Sequence, residues 1–185
     1  MRCTHRPDPS GVAGGFDAGR AKSLYESVAD VEPAAMRQLG FLYDRGIGVP
    51  KDYREARKLY EKAAALGDAI AINNLGYMYE AGNGVPKDLG RARDLYGQAA
   101  ALGQLLAMVN LGNLYRNGRG VPKDYAQARQ WYEKAAAGGR TAAMVQLGDL
   151  YRLGSACRRT PRRPANGTKP PLRPATPPRP RRWAG

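Results

Sequence analysis

The sequence predicts an all-α chain: an α-solenoid of stacked helix-turn-helix units with a period of 36 residues and disordered termini. Three observations predict it. Leu39-Gly40, Leu75-Gly76, Leu111-Gly112 and Leu147-Gly148 recur at that spacing, and Tyr43, Tyr79, Tyr115 and Tyr151 follow each glycine three residues later. Val49-Pro50-Lys51-Asp52 returns as Val85-Pro86-Lys87-Asp88 and Val121-Pro122-Lys123-Asp124. Tyr60, Tyr96 and Tyr132, each followed by a triple alanine starting at Ala63, Ala99 and Ala135, complete the unit. A period held without gaps over three units marks a repeat architecture. Each unit alone cannot bury its apolar stripe, so neighbours share one elongated core.

Taken in order, residues 1–16 are rich in Pro and Gly and read as a disordered segment. Asp17 to Glu26 aligns with Asp52 to Glu61, so 17–33 is a half-unit ahead of full units at 34–68, 69–104 and 105–140, with a truncated unit at 141–154. In each unit a first helix carries its apolar face at helical spacing, as Ala71, Leu75, Met78 and Tyr79 do, and Gly76 admits a neighbouring helix at close range. The Gly-x-Gly pairs ending at Gly48, Gly84 and Gly120 stop that helix, and the proline two residues on cannot continue it. Asp52, Asp88 and Asp124 cap the second helix, and Asp52 with Glu55 and Asp124 with Gln127 resemble capping boxes. On that second helix Ala56, Leu59, Tyr60, Ala63 and Ala64 form the inner face, small residues setting a short interhelical distance and the tyrosine filling the rest.

Composition bounds the function classes. The formal net charge is +14, but residues 17–154 carry 19 bases and 15 acids, whereas 155–185 hold nine bases and no acid. The repeat region is therefore an ordinary mixed-charge surface, and no nucleic-acid partner is expected for it. No apolar stretch is long enough to span a membrane. The N-terminus lacks the apolar run of a secretory signal, which makes a cytoplasmic setting the expectation, with a periplasmic or secreted one if coding sequence precedes it. Cys3 and Cys157 sit one in each flank and form no ligand cluster, so neither a disulfide scaffold nor a metal site is expected.

The pattern Asn-Leu-Gly-x-x-Tyr, Gly-x-Gly-Val-Pro-x-Asp, Ala-x-x-x-Tyr-x-x-Ala-Ala resembles the Sel1-like repeat, a relative of the tetratricopeptide repeat, over residues 17–154. The resemblance implies a right-handed superhelix that serves as a protein-interaction scaffold, without chemistry of its own in most members. A cysteine-rich bacterial branch of that family binds β-lactams and is secreted with a disulfide in each repeat. This chain has no cysteine inside any repeat, which makes that β-lactamase-like reading a poor match.

No catalytic set emerges, and no cofactor is implied. The Gly-x-Gly turns follow a helix rather than a strand and lack the Lys-Ser/Thr of a phosphate loop, so they read as helix stops. His5 has no companion histidine. The candidate site is instead the face of the first helices that the core leaves over. Positions two before and one after the shared glycine lie three apart and project together. They read Gln38 and Phe41, Asn74 and Tyr77, Asn110 and Asn113, Gln146 and Asp149, a ladder along a concave groove. Amide side chains both donate and accept, which suits the backbone of an extended peptide or protein segment.

Residues 155–185, with eight Arg and eight Pro, read as a disordered tail that could bind nucleic acid or an anionic membrane. Codon arithmetic offers another origin. Read one base earlier, position 157 permits Val, position 158 Pro and position 160 Asp, all due there. Position 167 can be only Arg or Trp, where the repeat has Trp131, and position 184 is forced to Gly, 36 residues after Gly148. The tail is therefore expected to be a fourth repeat in a shifted frame. Without that unit's second helix, the helix at 141–153 is expected to leave Met144, Val145, Leu147 and Leu150 partly uncovered and open to self-association.

Overall fold

The computed structural model describes residues 17–159, with side chains through residue 153. Eight helices follow in chain order among them: α1 (Ala18–Glu26), α2 (Pro33–Arg45), α3 (Tyr53–Ala65), α4 (Ala69–Ala81), α5 (Leu89–Ala101), α6 (Leu105–Asn117), α7 (Tyr125–Ala137) and α8 (Thr141–Arg159). The described residues include no strand. Each helix packs on its sequence neighbours, most extensively within the pairs α2/α3, α4/α5 and α6/α7. That is the solenoid the period predicts.

Local chemistry explains the helix limits. The Asp52 carboxylate accepts the amides of Arg54 and Glu55 at 2.8 and 3.1 Å. Asp88 accepts that of Arg91 at 2.9 Å, and Asp124 those of Ala126 and Gln127 at 2.8 and 3.0 Å. The capping boxes, however, are not closed. The backbone amides of Asp52, Asp88 and Asp124 donate to the carbonyls of Tyr43, Tyr79 and Tyr115, each at 2.9 Å, so the amide that Glu55 would accept is already engaged. Glu55 turns to Lys58 instead, at 3.1 Å. The bond to the tyrosine carbonyl straps each loop back onto the helix it leaves, satisfying a carbonyl that a helix end would otherwise orphan.

At the turns, Gly82 and Gly84 both adopt the left-handed conformation, with φ of 82° and 67°. Gly84 is constrained twice, because a Cβ there would stand 2.6 Å from Cβ of Tyr53 in the preceding unit. Gly120 meets Leu89 in the same way at 2.5 Å, and Gly48 meets Ala18. The turn of each unit thus rests on the start of the second helix before it, and α1 plays that part for the first full unit.

The core is built around a recurring ring. Tyr60, Tyr96 and Tyr132 are essentially buried, each standing over the glycine of its own first helix. A Cβ on Gly40 would lie 2.9 Å from the Tyr60 ring, and one on Gly76 2.7 Å from that of Tyr96. Around each ring the alanines Ala56, Ala63, Ala92, Ala99, Ala128 and Ala135 are fully buried and keep the helices close.

The last helix departs from expectation in two respects. Leu150 is buried against α7, because the face at 143, 147 and 150 is claimed by the preceding second helix rather than by a following one, while Leu147 is half-buried there as expected. Met144 and Val145 are exposed at 51% and 59%. Residues 155–159, expected to belong to an unfolded tail, continue α8. The second glycine and the proline due at 156 and 158 are replaced by Ala156 and Arg158, and nothing there stops the helix. The expectations for residues 1–16 and 160–185, the shifted-frame reading among them, lie outside the described residues.

Candidate functional site

The first helices of three successive units converge on one cavity. Phe41, Asp44 and Arg45 of α2, Asn73, Asn74, Tyr77 and Met78 of α4, and Leu106 and Asn110 of α6 line it, with Tyr60 of α3 at its base, and it holds about 330 Å³. Phe41 and Tyr77 stay exposed there at 38% and 46%. The Arg45 guanidinium lies over the Phe41 ring, 5.6 Å from its centroid, and 3.5 Å from the Asp44 carboxylate. Amides occupy the middle: Asn110 Nδ2 donates to Asn73 Oδ1 at 3.0 Å, and Asn73 Nδ2 to Asn74 Oδ1 at 3.5 Å.

Of the eight residues expected on this face, the fold brings four together: Phe41, Asn74, Tyr77 and Asn110. Gln38 is half-buried on α2 outside the cavity. The other three are engaged elsewhere: Asn113 within its unit, Gln146 between units and Asp149 within α8. Asn113 accepts the hydroxyl of Tyr132 at 2.8 Å, Gln146 accepts the Arg116 guanidinium from the preceding unit, and Asp149 pairs with Arg152 at 3.3 Å. No group of three or more His, Cys, Asp or Glu side chains suited to a metal occurs among the described residues.

Sequence reasoning passed over Asp44, Asn73 and Glu80. Asp44 and Glu80 occupy a column, four residues after the glycine, that is charged in every unit (Asp44, Glu80, Arg116, Arg152), and that is the signal that could have found them. Glu80 Oε2 accepts the Tyr96 hydroxyl at 2.6 Å, and its other oxygen pairs with Arg119 in the turn of the next unit. Arg37 Nε reaches Asp68, the cap of α4, at 2.9 Å. Polar links of this kind join α2 to α4, α4 to α6 and α6 to α8.

Burial sets the electrostatics. Loss of solvent raises the Asp44 carboxyl, opposed by the nearby charges of Arg45 and Lys51. The hydroxyls of Tyr60, Tyr96 and Tyr132 are likewise pushed up, chiefly by burial and for Tyr96 also by Glu80. They stay neutral, and those of Tyr96 and Tyr132 donate, to Glu80 and Asn113. The cavity therefore offers two aromatic rings, neutral amides and one ion pair.

Helical repeats whose first helices share a hydrogen-bonding face define this as an α-solenoid of tetratricopeptide-like organisation. The description Sel1 repeat matches residues 33–68, 69–104 and 105–139, and the chain belongs to the Sel1 repeat family, whose members are generally non-catalytic scaffolds that mediate protein interactions. The fold is similar to that of a Sel1 repeat protein from Oxalobacter formigenes, 40% identical, with 74% of this chain and 58% of that one covered and a TM-score of 0.69. It is similar also to a protective antigen of uropathogenic Escherichia coli that displays an SLR fold, 32% identical over 76% and 30% of the two chains with a TM-score of 0.66. Helicobacter pylori cysteine rich protein B is 25% identical, with 72% and 99% covered and a TM-score of 0.59. The chain thus spans less than two thirds of the first two relatives. No curated protein matches it. Among the described residues, no helix is long and apolar enough to cross a membrane.

Proposed function

We propose that the chain is a non-catalytic protein-interaction scaffold that holds an extended peptide or protein segment on the face shared by α2, α4 and α6. The observation that carries this reading is the cavity at which three first helices meet, with two exposed aromatic rings at its rim and amides between them. Exposed aromatics beside fixed polar groups are the usual anchors of a recognition surface. Asn74 and Asn110 supply donors and acceptors to a peptide backbone without dictating its sequence.

The test begins with peptides selected from a random-sequence display library against the full chain. Phe41→Ala with Tyr77→Ala is expected to weaken the selected peptides by about tenfold or more, the range of a modest hot spot. Asn74→Ala with Asn110→Ala is expected to weaken them less, and Leu102→Ala, an exposed residue beyond the end of α5, not at all. Peptides that bind all three variants as they bind the parent would remove the cavity from consideration.

A further inference from the structure

We propose that copies of this chain associate head to tail, α1 of one copy seating against α8 of the next as a second helix seats against a first. The two ends are complementary halves of one helix pair. α1 carries the pattern of a second helix: Asp17 caps it, accepting the Arg20 amide at 2.9 Å, and Ala21, Leu24, Tyr25 and Val28 stand where Ala56, Leu59, Tyr60 and Ala63 stand in α3. One side of α1 packs on the next unit, with Tyr25 and Ala29 against Leu39 and Leu42. Among the described residues, nothing occupies the side on which a full unit places its first helix. Leu24 and Val28 are 61% and 43% exposed, against 7% and 0% for Leu59 and Ala63.

α8 is the counterpart, a first helix. It packs on α7 through Ala143, Leu147 and Leu150. Among the described residues nothing covers its other side, with Met144 and Val145 exposed where Met36 and Val109 are 3% and 6%. Gly40, Gly76 and Gly112 each face a tyrosine ring, whereas a Cβ on Gly148 would meet nothing within 4 Å. One end thus offers a tyrosine without its glycine, and the other a glycine without its tyrosine. A second copy is the occupant that fits, because the seat is shaped by the same pairing that joins α2/α3, α4/α5 and α6/α7. The two contact surfaces lie at opposite ends of the array, so the contact is heterologous and open-ended, and chains lengthen with concentration instead of closing as a dimer.

Sedimentation velocity of the full chain reads this directly. The average mass is expected to climb above the 20.1 kDa of one copy as concentration rises. Leu24→Asp and Val145→Asp alter exposed positions, one at each end, and each alone is expected to remain at one copy. Each variant keeps one intact end, so an equimolar mixture is expected to form a discrete species of twice that mass and no larger. Gly148→Leu, whose Cβ meets no atom within 4 Å and whose side chain is larger than the glycine seat admits, is expected to abolish growth while circular dichroism is unchanged. Three results would overturn the proposal. They are a parent that stays at one copy at every concentration, a Leu24→Asp variant that still associates through α8 against α8 or through a terminal segment, and a mixture that stays at one copy.

Discussion

The repeat glycine makes opposite demands at two positions of the same column. Gly76→Ala places a methyl carbon 2.7 and 2.8 Å from two ring carbons of Tyr96. That ring is fully buried and held by its hydroxyl on Glu80 at 2.6 Å, so it has nowhere to swing. Forcing one extra carbon into a filled core costs about 1–3 kcal/mol. Replacing glycine by alanine inside a helix returns about 1 kcal/mol, so the net loss at position 76 is roughly 0–2 kcal/mol. Gly148→Ala makes the same exchange with nothing within 4 Å of the new carbon. Only the helix term remains there, a gain of about 1 kcal/mol. The propensity term cancels between the two variants, so their separation, about 1–3 kcal/mol, measures the Tyr96 contact alone. Urea unfolding followed by far-ultraviolet circular dichroism, at concentrations low enough to suppress association, gives both numbers. If the two variants shift the curve in the same direction by the same amount, the ring does not hold the glycine at its position and the reasoning fails.

Two further outcomes follow from burial. Because burial raises the Asp44 carboxyl in the folded state, the native chain keeps a proton that the unfolded chain has released. The stability tied to this group is therefore greatest at acid pH and falls as pH rises from the unfolded value of about 4 through the raised one. Asp44→Asn is accordingly expected to gain on the parent in urea unfolding between about pH 3 and pH 7, and a constant difference across that window would refute it. Tyr60, Tyr96 and Tyr132 should stay protonated in ultraviolet absorbance titration well above the ordinary tyrosine value, and should ionise only together with loss of helix.

How far the sequence reaches can be judged from particular residues. The repeat period is a covalent fact, and everything that depends on it alone was legible: the two helices per unit, the caps at Asp52, Asp88 and Asp124, and the pairing of small residues with Tyr60, Tyr96 and Tyr132. Contacts that cross a loop were not, since no period announces that the amide of Asp52 is taken by the Tyr43 carbonyl and withheld from Glu55. The site was half legible for a similar reason. Asn110 and Asn113 are the same residue type one turn apart, yet Asn110 lines the cavity while Asn113 serves a buried hydroxyl. The reach of the Tyr132 ring decides between them, and that depends on packing. Leu150 was misjudged because a first helix has two neighbours, and the one before it suffices to cover that position.

The turn glycines carry a consequence for how such a chain can change in length. Gly84 rests on Tyr53, and Gly120 on Leu89, in each case a residue of the unit before. The loop is therefore a gauge as well as a connector: one residue inserted ahead of the second glycine would lift it off its neighbour and push a side chain into the left-handed position. Removing residues 69–104 as a block, by contrast, would set Gly120 against Tyr53, rejoining one unit's turn to the start of another's second helix. An array of this kind tolerates change in whole multiples of its period, so unequal recombination between units is its natural route to a longer or shorter binding face.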